Sequence, residues 1–137
     1  MGEKQEKHKV TIRNAIQAFN NQDLDAYWSY HTEDTTSHEV YFPKPLTKEE
    51  MSEFVPKLWA AYPDWNIAIQ SMTAEGDMVA VENIMTATFE NDFEDQKATG
   101  RSFELREGVF FEMKDGLIHH VRVYLDQKTQ EEQLGTA

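Results

Sequence analysis

The first sixty residues place apolar side chains at helical spacing, and from Pro63 onward they alternate instead. Ile12, Ala15, Ile16 and Phe19 predict a first amphipathic helix over about residues 5–20. Asp23 follows an interrupting stretch and is suited to cap a second helix, on which Leu24, Tyr27, Trp28 and His31 share a face. Residues 35–42 read as extended until Pro43 and Pro45 stop them. Thr47 and Glu50 have capping-box spacing and open a third helix, with Met51, Phe54, Val55, Leu58 and Tyr62 on its apolar face. Pro56 removes a backbone donor inside that helix, which predicts a bend.

Four strands follow. WNIAIQSMT is the first, EGD the turn after it, and MVAVENIMTATF (78–89) the second. An acidic connection over 90–101 leads to FELREGVFFEM, and Lys114-Asp115-Gly116 turns the chain into GLIHHVRVYLD, residues 116–126. In that last strand Ile118, His120, Arg122, Tyr124 and Asp126 share one parity, and His119, Val121, Val123 and Leu125 share the other. The tail KTQEEQLGTA reads as short and polar, and with no repeat or linker the chain is expected to be one domain over 1–137.

Helices first and antiparallel strands second are the order of an α+β domain. The expected architecture is a cone-shaped, curved antiparallel sheet covered by three N-terminal helices, with a pocket at the wide end. On this reading the polar row of the last strand faces the pocket, and the aliphatic row faces a helix or a second subunit. Val121, Val123 and Leu125 need cover, so a homodimer through the sheet is expected, visible as twice the chain mass in light scattering.

Charge narrows the partners. The formal net charge is −12, and the few basic residues form no stripe, which argues against nucleic acid and anionic membrane surfaces. No apolar run approaches spanning length, and MGEKQEKHKV lacks the apolar core of a secretory signal. The absence of cysteine removes disulfides and thiolate chemistry, and together these features lead us to expect a cytoplasmic protein.

The order of elements, with AAYPDWNIAIQSMTAEGDMVAVENIMTATF (60–89), GVFFEMKDGLIHHVRVYLD (108–126) and EEQLG (131–135), resembles the SnoaL-like polyketide (ester) cyclases. These belong to the nuclear-transport-factor-2-like, or cystatin-like, superfamily of cones. The resemblance runs from about residue 10 to residue 135. It implies cofactor-independent general acid/base catalysis on a small hydrophobic carbonyl or ester, as in an intramolecular aldol-type cyclisation. The alternatives in the superfamily are a non-catalytic module for a small hydrophobic ligand and an epoxide-hydrolase- or dehydratase-like enzyme. The resemblance also implies that Asp126 is the acid/base and that His38, on the short strand after the second helix, assists it. Where the studied cyclases carry a histidine on the penultimate strand, this chain has Glu112, a departure from the pattern.

Each candidate has a plainer reading. Asp126, desolvated in a pocket, would titrate near neutrality and move protons; it could equally cap the turn into the tail. His38 is either a partner acid/base or a polar strand residue satisfied locally. His120, Arg122 and Tyr124 share the parity assigned to the pocket, with Arg122 also suited to an ion pair with Asp126 or a glutamate next door. Glu104 and Arg106, with Glu82 across the sheet, could organise a water or form a cross-strand pair. Trp28, Phe54, Trp59, Tyr62 and Trp65 could wall an apolar pocket or be core, with Trp28 touching both. No metal site is expected: His119 and His120 should point to opposite faces, and His31, His38 and Glu33 lack a ligating spacing. No cofactor motif is present either.

Overall fold

The computed structural model describes residues 2–137. Its elements are α1 (Gly2–Asn20), α2 (Leu24–Trp28), β1 (His31–His38), β2 (Leu46–Thr47), α3 (Lys48–Ala61), β3 (Asn66–Glu75), β4 (Met78–Thr88), β5 (Ser102–Lys114), β6 (Leu117–Leu125) and α4 (Gln127–Leu134). The six strands form one curved, unclosed sheet in the order β2-β1-β6-β5-β4-β3. Every pairing is antiparallel except β1 with β6, which is parallel. Among the described residues no helix is long and apolar enough to cross a membrane.

The local signals explain most boundaries. Asp23 caps α2 by accepting from the Ala26 amide, and Thr47 and Glu50 form a reciprocal capping box at α3. Asp115 and Gly116 both adopt positive φ, the geometry that a two-residue hairpin between twisted strands requires. Pro56 lies inside α3, where it is exposed. Three boundaries differ from expectation. Helix α2 stops at Trp28, so His31 opens β1 rather than completing a helical face. The segment expected over 35–42 starts four residues earlier, and β2 adds a two-residue strand against it. The tail is a fourth helix, capped by Asp126 and ended by Gly135 in the left-handed region, with Leu134 buried in the core.

Helices α1 and α3 pack on one face of the sheet. Ile12, Ala15 and Ile16 meet Val79, Val81, Val109 and Ile118. Met51, Val55 and Trp59 meet Met85, Phe89, Phe103 and Leu105. The apolar row of each strand therefore turns inward.

One expectation is overturned here. In β6 His120 pairs with Glu112 but Ile118 pairs with Met113, so His119 is an extra residue opposite none. A bulge of this kind shifts the strand by one and changes which parity faces inward. Ile118 is inward before it; Val121, Val123 and Leu125 are inward after it. His120, Arg122 and Tyr124 consequently lie on the outer face, and Tyr124 is 54% exposed. The aliphatic row is covered by this chain's own helices, so it gives no ground for a dimer.

Candidate active site

Between α1, α3 and the inner face of the sheet lies a cavity of about 90 Å³. Its walls are apolar: Ile16 and Phe19 from α1, Val55 and Leu58 from α3, Val109 and Val123 from the sheet. At Tyr41, Phe54, Leu58 and Trp65 it adjoins a wider groove of about 520 Å³, bounded by α3, α4 and the 93–96 stretch. The deep cavity is narrower than a drug-sized ligand needs, and the two together are not.

Polar groups in the cavity are few. Glu107 is at the centre of β5, 5% exposed, and its Oε1 accepts from Asn83 Nδ2 at 3.0 Å. The two residues are direct cross-strand partners. Burial pushes the Glu107 carboxyl up to about 7; the Asn83 bond pulls the other way, and the negative Glu39 pushes it further up. Glu39 is half-buried just beyond β1 and lines the same cavity, accepting from the Ser37 hydroxyl at 2.7 Å. Its carboxyl is also raised, by burial. Tyr41 donates to Gln130 Oε1 at 2.7 Å, which ties the rim of the cavity to α4. Tyr27 lines the wall, its phenol held well above the ordinary value by burial and by the charges of Glu39 and Glu107. Two carboxyl groups in one apolar chamber, one poised near neutrality, can take a proton and return it.

The groove is roofed by the acidic connection. Phe93 meets Phe54 edge to face, with centroids 6.1 Å apart, and Asn91 donates to the Ala60 carbonyl at 2.8 Å. Thr99 donates to the Leu134 carbonyl at 2.6 Å, so the same connection is fastened to α4.

The residues expected at the site are mostly elsewhere. Asp126 is exposed at the N-cap of α4, accepting from the Thr129 amide and hydroxyl at 3.1 and 2.7 Å. Those bonds, the hydroxyl's first, hold its carboxyl below the ordinary range, the reverse of what a neutral-pH base needs. We expect Asp126→Ala to lower the thermal midpoint by a few degrees, and Asp126→Asn, which can still cap, to lower it less. His38 follows Thr36 on the outer parity and pairs in register with Arg122. His120 bonds Thr36 Oγ1 at 2.6 Å, and Arg122 is ion-paired with Glu112 on β5 beneath Phe110. Glu112 is thereby accounted for as the partner of Arg122. Glu104 donates its amide to Gln133, and Arg106 lies 3.9 Å from Glu82 in an exposed pair. Trp59 is core against Phe19, and Trp28 packs on Tyr27 and His31 outside the cavity. Of the candidate wall aromatics, Phe54 and Trp65 line both cavity and groove.

His31 points inward and His38 outward, while Glu33 is exposed beside Lys48. Among the described residues no group of three or more His, Asp or Glu is placed to hold a metal. Glu107, Asn83 and Glu39 were not singled out by the sequence reading. Their signal was present: Glu107 interrupts the apolar row Phe103, Leu105, Val109, Phe111, and Asn83 interrupts Val79, Val81, Met85.

The sequence model of the SnoaL-like polyketide cyclases matches residues 9–134. The fold is similar to that of a proposed polyketide cyclase from Xanthomonas campestris pv. campestris, at 22% identity and a TM-score of 0.88, covering 96% of this chain and 99% of that one. It is also similar to IdmH, a proposed polyketide cyclase from Streptomyces antibioticus (26% identity, TM-score 0.80, 93% and 98% covered). AclR, a proposed hydroxylase from Streptomyces galilaeus, superimposes with a TM-score of 0.85 at 20% identity over 97% and 98%. No curated protein matches the chain.

Proposed function

Since this chain belongs to the SnoaL-like polyketide cyclase family, we propose that it catalyses cofactor-independent proton transfer on a small hydrophobic carbonyl compound, with Glu107 as the proton carrier. The observation that carries the reading is a carboxyl group buried in an apolar cavity, titrating near 7 beside a second carboxyl. Ionised Glu107 removes a proton from carbon next to a carbonyl. The enolate carbon then bonds to a second carbonyl carbon of the same molecule, and the proton on Glu107 passes to the oxygen that has become alkoxide. Atoms balance without a co-reactant, and the carboxylate is regenerated. Asn83 steadies Glu107 through its amide hydrogen. Burial keeps the Glu107 pKa high, and the like charge of Glu39 adds to it.

Proton abstraction can be followed without knowing the natural substrate. 2-Tetralone, a small apolar ketone, is incubated in deuterium oxide with the protein, and deuterium uptake beside the carbonyl is followed by NMR. Uptake above buffer, rising as pH passes about 7 and lost in Glu107→Gln, is the expected result; uptake no faster than buffer, or undiminished in the variant, removes the reading. Glu39→Gln should move the inflection of that pH profile downward, because the neighbouring negative charge is gone. The second reading, a module that binds without transforming, is favoured by the apolar walls and by the bond that already engages the Glu107 carboxyl with Asn83. It predicts that 2-tetralone binds and does not exchange.

A further inference from the structure

Asn83 is 1% exposed at the middle of β4, and its two amide atoms fare differently. Nδ2 donates to Glu107 Oε1, whereas Oδ1 is buried with no hydrogen-bond partner among the described residues. An ionised Glu107 fixes that orientation, since turning the amide would set oxygen against oxygen. No hydroxyl of the cavity wall, that of Tyr27 included, donates to Oδ1. Glu107 and Glu39 are acceptors, the Ser37 hydroxyl is bonded to Glu39, and the Tyr41 hydroxyl is bonded to Gln130. Met85, Val109 and Phe111 complete the wall. The deep end of the cavity thus has acceptors in excess inside an apolar shell.

We propose that this cavity selects a substrate bearing a neutral hydroxyl, an enol or a phenol on an otherwise apolar body, and that Asn83 Oδ1 is the atom that accepts its hydrogen. The inference rests on the reading of this cavity as the substrate site. A hydroxyl donates the one hydrogen that Oδ1 lacks and seats its carbon framework against aliphatic walls. A ligand without it leaves a buried acceptor unpaired, and loss of a partner at such a site discriminates more strongly than loss of a methyl group. An ammonium group would also donate, and it would find the Glu39 and Glu107 carboxyls as further acceptors, so benzylamine is the control: binding tighter than that of phenol would overturn the choice of a neutral hydroxyl. Asn83 is on this account a specificity residue, placed so that the hydroxyl lies beside the carboxyl that moves the proton.

The probes are phenol, toluene, which matches it in size without the hydroxyl, and anisole, its methyl ether without the hydroxyl hydrogen, titrated by NMR at pH 8. Phenol should bind the unaltered protein about tenfold more tightly than toluene or anisole, and in Asn83→Leu the three should bind alike. Equal binding to the unaltered protein, or a phenol preference that survives in a folded Asn83→Leu variant, overturns the proposal. A crystal of the unaltered protein with 4-bromophenol tests it independently of that variant, because anomalous scattering from bromine fixes the ring. An oxygen within hydrogen-bond distance of Asn83 Oδ1 supports the assignment; an oxygen on Glu107 alone, or out in the groove, overturns it. Loss of the phenol preference with Glu107-dependent exchange intact would defeat this inference only. Exchange that fails while the preference holds would defeat the catalytic reading instead.

Discussion

The Glu107→Gln variant is expected to lose deuterium exchange by roughly a hundredfold to ten-thousandfold and, above pH 7, to become the more stable protein. The two effects have one cause. In the folded chain burial lifts the Glu107 carboxyl from an ordinary 4.5 to about 7. Below pH 4.5 the group is protonated in both states and its preference for the neutral form is fully expressed. Between those values the unfolded chain releases the proton while the folded chain keeps it, so stability falls as pH rises; above 7 the loss is complete. Glutamine has no proton to release. The unfolding free energy of the variant should therefore gain on that of the wild type by about 3 kcal/mol between pH 4 and pH 8. Exposed carboxylates such as Asp34, Asp77, Asp92 and Asp126, all held below their ordinary range, titrate in the opposite sense. They are common to both proteins and cancel in the comparison. Urea titrations at the two pH values decide it. A gap that does not change with pH means that Glu107 is an ordinary carboxylate and cannot be the proton carrier.

Phe89→Ala should cost about 3–5 kcal/mol, read from urea unfolding at one pH. The ring is fully buried and stacks on Tyr62 at 4.9 Å between centroids. Its backbone is bonded on both sides to the far end of the acidic connection, the amide to the Arg101 carbonyl and the carbonyl to the Gly100 amide, each at 2.9 Å. The stretch between them roofs the groove through Phe93 and Gln96. A hole at position 89 therefore loosens the roof as well as the core, and protection of the 91–98 amides from hydrogen exchange should fall together with global stability. A cost below about 1 kcal/mol would mean that the site collapses around the smaller side chain.

The fold was legible because each of its signals is local and redundant. Caps at Asp23 and Thr47, the turn at Asp115-Gly116 and the switch of period at Pro63 each required only a few neighbouring residues. The tail hid a helix because its apolar contribution is almost confined to Leu134, and its start depends on Asp126, which had a rival role. The inward face of β6 was misread for a different reason. Which parity of a strand is inward is a property of the whole ladder, and the ladder between β5 and β6 contains an unpaired residue that no local pattern announces. Polar residues in a row on one strand proved a poorer guide than single polar residues out of place on two. Glu107 and Asn83 each break an apolar row, and their meeting across the ladder turns two anomalies into one feature.

The unpaired His119 has a reach beyond its own strand. Like a doubled stitch, it takes up one residue of chain without a partner, so a relative that dropped it would keep His120 and Arg122 outside and Val121 and Val123 inside, and only the count back to Ile118 would change. Roles copied between such relatives by counting back from the closing aspartate would hold as far as His120 and land on the wrong side of the fabric from Ile118 backward. The dependable yardstick here is the partner strand, whose own row runs through Glu107 without a skip.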